Sequence, residues 1–333
     1  MKNGSDAQRQ LAEQTLRSAS AMRTARAALD ARLRALAPAA PTAAPRKKRV
    51  IFNASHAEDI PGVRTRSEGQ GPTGDVAVDE AYNGLGSTFD LYWDIWKRNS
   101  VDAAGMELDA TVHYGMNYDN AYWNGERMIF GDGDGRLFNR FTIAVDVIGH
   151  ELTHGVTGHT ARLDYQGQSG ALNESVSDVF GSMVKQYAAS PRQSAVQADW
   201  LIGAGLLMPG VKGVALRSMI APGTAYDDPV LGKDPQPAHM KDYVTTSSDD
   251  GGVHINSGIP NNAFARLAIS FGSYSWANAG QIWYKTLTDT RLAPSSQFMD
   301  FARLTVANAL QLYGAAGKQA ASDAWSQVGI NVT

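Results

Sequence analysis

His150, Glu151 and His154 are the residues of this chain whose types and spacing most plainly permit chemistry. If Ile143 to about Gly158 is helical, histidines four residues apart share a face and present two imidazoles to one metal ion. Glu151 stands beside them, a carboxylate placed to take a proton rather than to ligate, as metal-assisted hydrolysis requires. Val147, Ile148, Leu152 and Val156 make an apolar stripe on the same segment, which sets the histidines in a wall of the core and not on a solvated face.

A catalytic zinc takes three protein ligands and keeps one position open. His159 follows His154 by five residues, but the positions seven and ten after His150 are Thr157 and Thr160. That rejects the class of zinc enzymes with a glycine and a third histidine there. Beyond them come Asn173, Glu174 and Asp178, among Val176, Phe180, Met183, Val184 and Tyr187 at helical spacing. Glu174 and Asp178 then share one face of a second amphipathic helix. One carboxylate can bind the metal while the other accepts the spare N–H of a ligand histidine. The pattern is that of a glutamate-zincin.

Further stretches stand in order around these motifs: Thr111-Val112-His113-Tyr114-Gly115, Asn120-Ala121-Tyr122-Trp123-Asn124-Gly125, Gly131-Asp132-Gly133-Asp134-Gly135, Ser169-Gly170-Ala171-Leu172-Asn173-Glu174, Leu216-Arg217-Ser218-Met219 and Gly251-Gly252-Val253-His254-Ile255-Asn256-Ser257-Gly258. With them, residues 50 to 333 closely resemble the thermolysin-like metallopeptidases, protealysin type, which carry a short propeptide. The resemblance implies an α+β, two-domain zincin: an N-terminal mainly antiparallel β domain closed by the zinc helix, a C-terminal mainly α-helical domain, and an active-site cleft between them. It implies one zinc on His150, His154 and Glu174, with Asn173 and Asp178 behind the ligands and Glu151 as base. His254 and Tyr165 become donors to the oxyanion, and Asp249 holds His254 in its donor tautomer. Asn120, the Ala121 carbonyl, Trp123 and Arg217 are implied for the substrate main chain. Phe138, Phe141, Val147 and Leu216 align with the walls of the pocket that follows the cut bond. All four are apolar, which implies cleavage on the N-terminal side of bulky hydrophobic residues such as Leu, Phe or Ile.

Thermolysin also carries a paired calcium site, to which Asp146 would contribute. Here the acid expected on the second helix is Lys185, and those expected after Asp199 are Leu201 and Ala204. Such a pocket neutralises itself, so Lys185 is expected to pair with Asp146 or Asp199 and the calcium site to be lost. The Gly131–Gly135 run reads as a glycine-driven turn rather than a calcium loop. His56, His113, His159 and His239 have no metal partner at useful spacing and read as structural or exposed.

Composition bounds the rest. A chain of 333 residues, 43% hydrophobic, suits two domains plus an appendage. A net charge of −3 gives no reason to expect nucleic acid or anionic membrane as partner, and no apolar run has membrane-spanning length. The chain has no cysteine and so no disulfide. Residues 1–45 are an Ala- and Arg-rich segment with leucines at near-helical spacing, then a Pro/Ala linker, and the resemblance implies that they are a propeptide removed near Ala44–Arg46. The catalytic domains are expected at 46–165 and 166–333. No Sec-type signal peptide is read, so the expectation is a precursor that stays in the cytoplasm or leaves by a non-Sec route, and the resemblance implies a bacterial, secreted protein. The expected partners are polypeptide substrates and the chain's own propeptide, and the resemblance admits a small inhibitor protein.

Strands are expected at Arg49–Asn53, Val63–Arg66, Glu107–Tyr114 and Arg127–Phe130, with a helix near Asp75–Asn99 among them. Helices are expected near Ser175–Ala189, Ile259–Phe271, Ala279–Thr288, Phe298–Leu312 and Gly317–Ser326. The rival to a working enzyme is a catalytically silent binding module of the same fold. Such relatives lose the base or a ligand, and this chain keeps Glu151 and all three ligands.

Overall fold

The computed structural model describes Gly4, Ala44, Pro45 and residues 47–332. The propeptide reading of residues 1–45 lies almost wholly outside them. Strands β1 (Arg49–Asn53), β2 (Val63–Ser67), β3 (Leu108–Val112), β4 (Ala121–Trp123) and β5 (Arg127–Phe130) form one sheet in the order β2-β1-β3-β5-β4. Helix α1 (Val76–Trp96) crosses between β2 and β3 and buries Ala81, Leu85, Phe89 and Tyr92 against the sheet side of the core. Asp75 caps its N-terminus by accepting the amides of Ala77 and Val78.

The sheet corrects one expectation. It is mixed rather than mainly antiparallel: β1 pairs with β2 and β4 with β5 antiparallel, but β1–β3 and β3–β5 are parallel. The reason is the connection. A crossover returns the chain to the same end of the sheet, and its direction is not written in strand composition.

A 3-10 turn at Phe141–Ile143 leads into α2 (Val145–Gly158), which carries His150, Glu151 and His154. Helix α3 (Gly167–Ala188) begins eight residues before the expected start at Ser175. Its first two turns contain Gly167, Ser169 and Gly170, poor helix formers that packing overrides. A Cβ on Gly170 would meet the Val253 side chain at 2.4 Å, so the small residue is required there. The two helices touch backbone to backbone: a Cβ on Gly181 would stand 2.3 Å from the Asp146 carbonyl oxygen and 3.0 Å from the His150 amide nitrogen.

After a stretch of loops and two-residue strands, the chain from Asp249 is mainly helical, with α4 (Asp249–Asn256), α5 (Gly258–Phe271), α6 (Ala279–Leu287) and α7 (Phe298–Gln327). Helix α7 breaks at Gly314, at φ 66°, between the two helical segments expected from the sequence. Two short strands, β6 (Leu201–Ile202) and β7 (Arg217–Ser218), pair beneath α3. The main apolar core runs from Ile51 and Leu85 through Leu152 and Phe180 to Trp283 and Trp325, and Tyr114, Tyr118, Tyr122 and Ile129 form a smaller cluster beside it. Stacked rings carry it across the middle: Tyr92 lies on Phe180 at 5.4 Å and Trp96 on Tyr284 at 4.8 Å.

Candidate active site

Helical geometry places His150 and His154 one above the other on α2, and their Nε2 atoms stand 3.0 Å apart. Glu174 on α3 reaches both: its Oε2 is 3.3 Å from His150 Nε2 and its Oε1 is 3.4 Å from His154 Nε2. The three ligand atoms all lie within 4.8 Å of one another. A tetrahedral ion with bonds of about 2 Å needs ligand atoms separated by about 3.3 Å. The donor set therefore fits a zinc ion, in number, type and spacing.

The opposite ring nitrogens are already committed. His150 Nδ1 stands 2.8 Å from Asp178 Oδ1, and His154 Nδ1 stands 2.8 Å from Asn173 Oδ1, with the Ser177 hydroxyl at 3.1 Å. These partners turn each Nε2 toward the common centre. Asp178 is fully buried and is itself held by Arg217, through Nε at 2.8 Å and Nη2 at 2.7 Å, and by Asn261 at 2.8 Å. Burial works against its charge, yet Arg217 and His150 hold the carboxyl well below the usual range. Glu174 is buried too, and its carboxyl is likewise held low by His254, His154 and His150.

The groups beside the ligands are more open. Glu151 accepts the backbone N–H of Trp123 at 3.0 Å, which fixes the carboxylate against β4. Tyr165, between α2 and α3, donates its hydroxyl to Glu174 and lies 3.3 Å from His254 Nε2. His254 Nδ1 stands 2.6 Å from Asp249 Oδ1, and the same carboxylate accepts the His254 amide. Asp249 and Asp250 have positive φ, and Gly251 and Gly252 continue the left-handed path. That path folds the chain back so that the carboxylate and imidazole of one short segment meet. Burial pulls the His254 imidazole down, but Glu174 and Asp249 outweigh it and raise its pKa.

The other expected site residues are close by. Ala121 and Trp123 lie on β4, the edge strand. The Asn120 carbonyl and the Asn124 amide bond to the β5 side, so period two turns the backbone groups of Ala121 and Trp123 the other way, toward Glu151. The Trp123 side chain is buried, packed near Gly155, so its indole belongs to the core and its backbone to the site. Phe138 and Phe141 stand 5.9 Å apart ring to ring, and Val147 is one turn before Glu151. Leu216, half-buried, precedes Arg217 on β7 and bonds through its amide to Ile202.

Ser177, Asn261 and the Trp123 amide were missed by sequence reasoning. Ser177 and Asp178 adjoin on α3, and Ser177 could have been found from its helical offset to Glu174. Asn261 and a backbone amide leave no signal in sequence spacing.

The chain's relatives agree with this geometry. The model of the thermolysin metallopeptidase catalytic domain matches residues 52–158, and that of the thermolysin metallopeptidase α-helical domain matches residues 161–330. The chain belongs to the thermolysin metallopeptidase family. It is 51% identical over 330 residues to an extracellular metalloprotease of Pectobacterium carotovorum, covering 99% of this chain and 93% of that protein. It is 53% identical over 286 residues to protease PrtS of Photorhabdus, covering 85% of this chain and 76% of the relative. Among solved structures, the precursor of protealysin from Serratia proteamaculans superposes with a TM-score of 0.85 at 55% identity, over 88% of this chain and 90% of its own. This thermolysin-family chain is thus a metalloendopeptidase of two-domain fold, from a zinc-dependent family, acting on peptide substrates. Among the described residues, no helix is long and apolar enough to cross a membrane.

One sequence reading needs a correction of geometry. His56 and His113, taken as having no metal partner, meet at Asp132, and the three form the other group able to hold an ion among the described residues. They are distant in sequence and come together only where β1 and β3 end side by side. His159 keeps its structural reading as the C-cap of α2.

Proposed function

We propose that this peptidase cleaves peptide bonds before bulky hydrophobic residues, with one zinc on His150, His154 and Glu174. The observation that carries the reading is the convergence of those three donors beside a Glu151 carboxylate already oriented by the Trp123 amide. Bound there, a zinc ion would supply Lewis-acid activation of water and of the scissile carbonyl. Glu151 takes the proton of the attacking water and returns it to the leaving amine. Tyr165 and His254 donate hydrogen bonds to the oxygen that becomes negative, and Asp249 keeps the His254 donor nitrogen on that side. The outward Ala121 carbonyl receives the substrate main chain as an added strand, with Asn120 at one end and Trp123, its amide held by Glu151, at the other. Two of the three Arg217 nitrogens are committed to Asp178, so Arg217 acts on substrate and on the ligand scaffold together. Phe138, Phe141, Val147 and Leu216 give an apolar wall to the residue after the cut.

The N-terminal segment is best read as a removable propeptide. In support, the family match begins at residue 52, and the similar solved structure is a precursor. Relatives described as extracellular favour eventual release from the cell. A small inhibitor protein remains compatible with this site. We also propose that the paired calcium site is gone. The Lys185 ammonium stands 3.1 Å from Asp146, 2.8 Å from Asp199 and 2.6 Å from the Leu201 carbonyl, where a cation would otherwise gather these oxygens.

The test is cleavage of an internally quenched peptide with Leu or Phe after the scissile bond. Glu151→Gln should lower kcat by about 10²–10⁴-fold while zinc is still held by His150, His154 and Glu174. Full activity in that variant would remove Glu151 from the base role, and an inactive wild-type chain holding zinc would favour the silent module.

A further inference from the structure

The His56 cluster includes Asp132, the residue after Gly131, whose amide bonds to the Asn120 carbonyl. Beyond the last paired residues of β1 and β3, three backbone bonds continue to hold the two segments together. Ala54 donates to Val112, His56 to His113 at 2.8 Å, and Gly115 to Ala57 at 3.0 Å. Both histidines sit in the left-handed region, at φ 64° and 53°, a conformation that a bulky side chain adopts only when its surroundings impose it. The two rings meet edge to face at 5.6 Å. Asp132 Oδ2 is 2.7 Å from His113 Nδ1 and 3.5 Å from His56 Nδ1.

The far nitrogen of His113 repeats the arrangement seen at His150. Its Nε2 stands 3.0 Å from Asp75 Oδ2, and Asp75 is fixed by capping α1. A carboxylate on one ring nitrogen, leaving the other for an ion, is how metal-bound histidines are oriented. Asp132 is in turn anchored: Gly131 donates to the Asn120 carbonyl and Gly133 to the Tyr118 carbonyl. The His56 side chain is 49% exposed, which opens a path from solvent and leaves room for water to complete the coordination.

We propose that His56 Nδ1, His113 Nδ1 and an Asp132 oxygen form a second metal site, for a borderline divalent transition ion such as Zn²⁺ or Ni²⁺. Two imidazoles and one carboxylate suit those ions and not calcium or magnesium, which take oxygen. As the ion enters, the proton shared by His113 Nδ1 and Asp132 leaves to solvent, and His113 keeps its Nε2–H on Asp75. Because Asp132 follows the residue bonded to Asn120, occupancy would also stiffen the edge that flanks β4.

The experiment is equilibrium dialysis of zinc at pH 8 with the tag-free full chain carrying Glu151→Gln, which spares it from self-cleavage. Two equivalents are expected. His56→Asn keeps a residue that tolerates the left-handed backbone, and it should weaken the second equivalent at least ten-fold without touching the first. Asp132→Asn should do the same. The first equivalent, abolished by His150→Ala, reports the catalytic site separately. A wild-type second equivalent that is missing, or one that survives both substitutions, overturns the proposal and leaves His113 as a charged bridge between Asp75 and Asp132.

Discussion

Asp178 shows how much a single side chain away from the chemistry can decide. It accepts from His150, Arg217 and Asn261 at once, in a site without solvent. Asp178→Asn replaces an acceptor oxygen with a donor nitrogen and leaves Arg217 without its counter-charge. Zinc affinity, measured by competition with a chelator, should fall about 10–100-fold, with a loss of stability alongside. His113 gives a residue-scale pH prediction. The hydrogen bond that it donates to Asp132 raises its pKa most, against burial, and with Asp75 brings it to about 9. The unfolded value is about 6.5, so the imidazolium stabilises the fold fully below that pH, and the contribution is lost as pH rises toward 9. Without added metal, the stability advantage of wild type over His113→Gln in urea should be clear at pH 6 and nearly gone at pH 10. An advantage that grows with pH would contradict the assignment.

At the level of elements, α2 and α3 work as one clamp. Glycines at 149 and 181 let the backbones touch, so ligands from two helices close to within a few ångströms. Lys185 ties the same pair one turn further on, bridging Asp146 of α2 to Asp199 and to β6. Burial pushes the Asp146 carboxyl up, and the Lys185 ammonium opposes this most, helped by the backbone amides of Gly203 and Val147. Lys185→Met should therefore cost about 3 kcal/mol in denaturant unfolding, the scale for stranding one partner of a buried pair. Calcium should neither stabilise the wild type nor be needed for its activity. A calcium-dependent Tm in the wild-type chain would show that the cation pocket persists.

For the whole molecule, the continuous core and the bridging rings join the sheet half to the helical half, while the site lies where their edges meet. Removing zinc leaves His150, His154, His254 and Glu174 converging without the ion that compensates them. Chelation in the Glu151→Gln chain should lower Tm, and restoring zinc should raise it again by the linkage between binding and folding. A Tm indifferent to chelator would mean that the clamp is set by packing alone.

Much of this protein is legible in its sequence. Helical periodicity relates residues three and four apart, so His150, Glu151 and His154 declare themselves, as do Glu174 with Asp178 and the apolar stripes beneath them. The order of the motifs carries the family. Local glycine and proline signals place most strands, and Gly314 ends a helix where the periodicity breaks. The strand directions are not legible, because parallel and antiparallel strands draw on the same residues and only the crossover decides between them. Nor are Asn261 on Asp178, the Trp123 amide on Glu151, or the meeting of His56 and His113 with Asp132. Those contacts join residues far apart in the chain, and their spacing is set by how sheet and helices pack rather than by any period within one element.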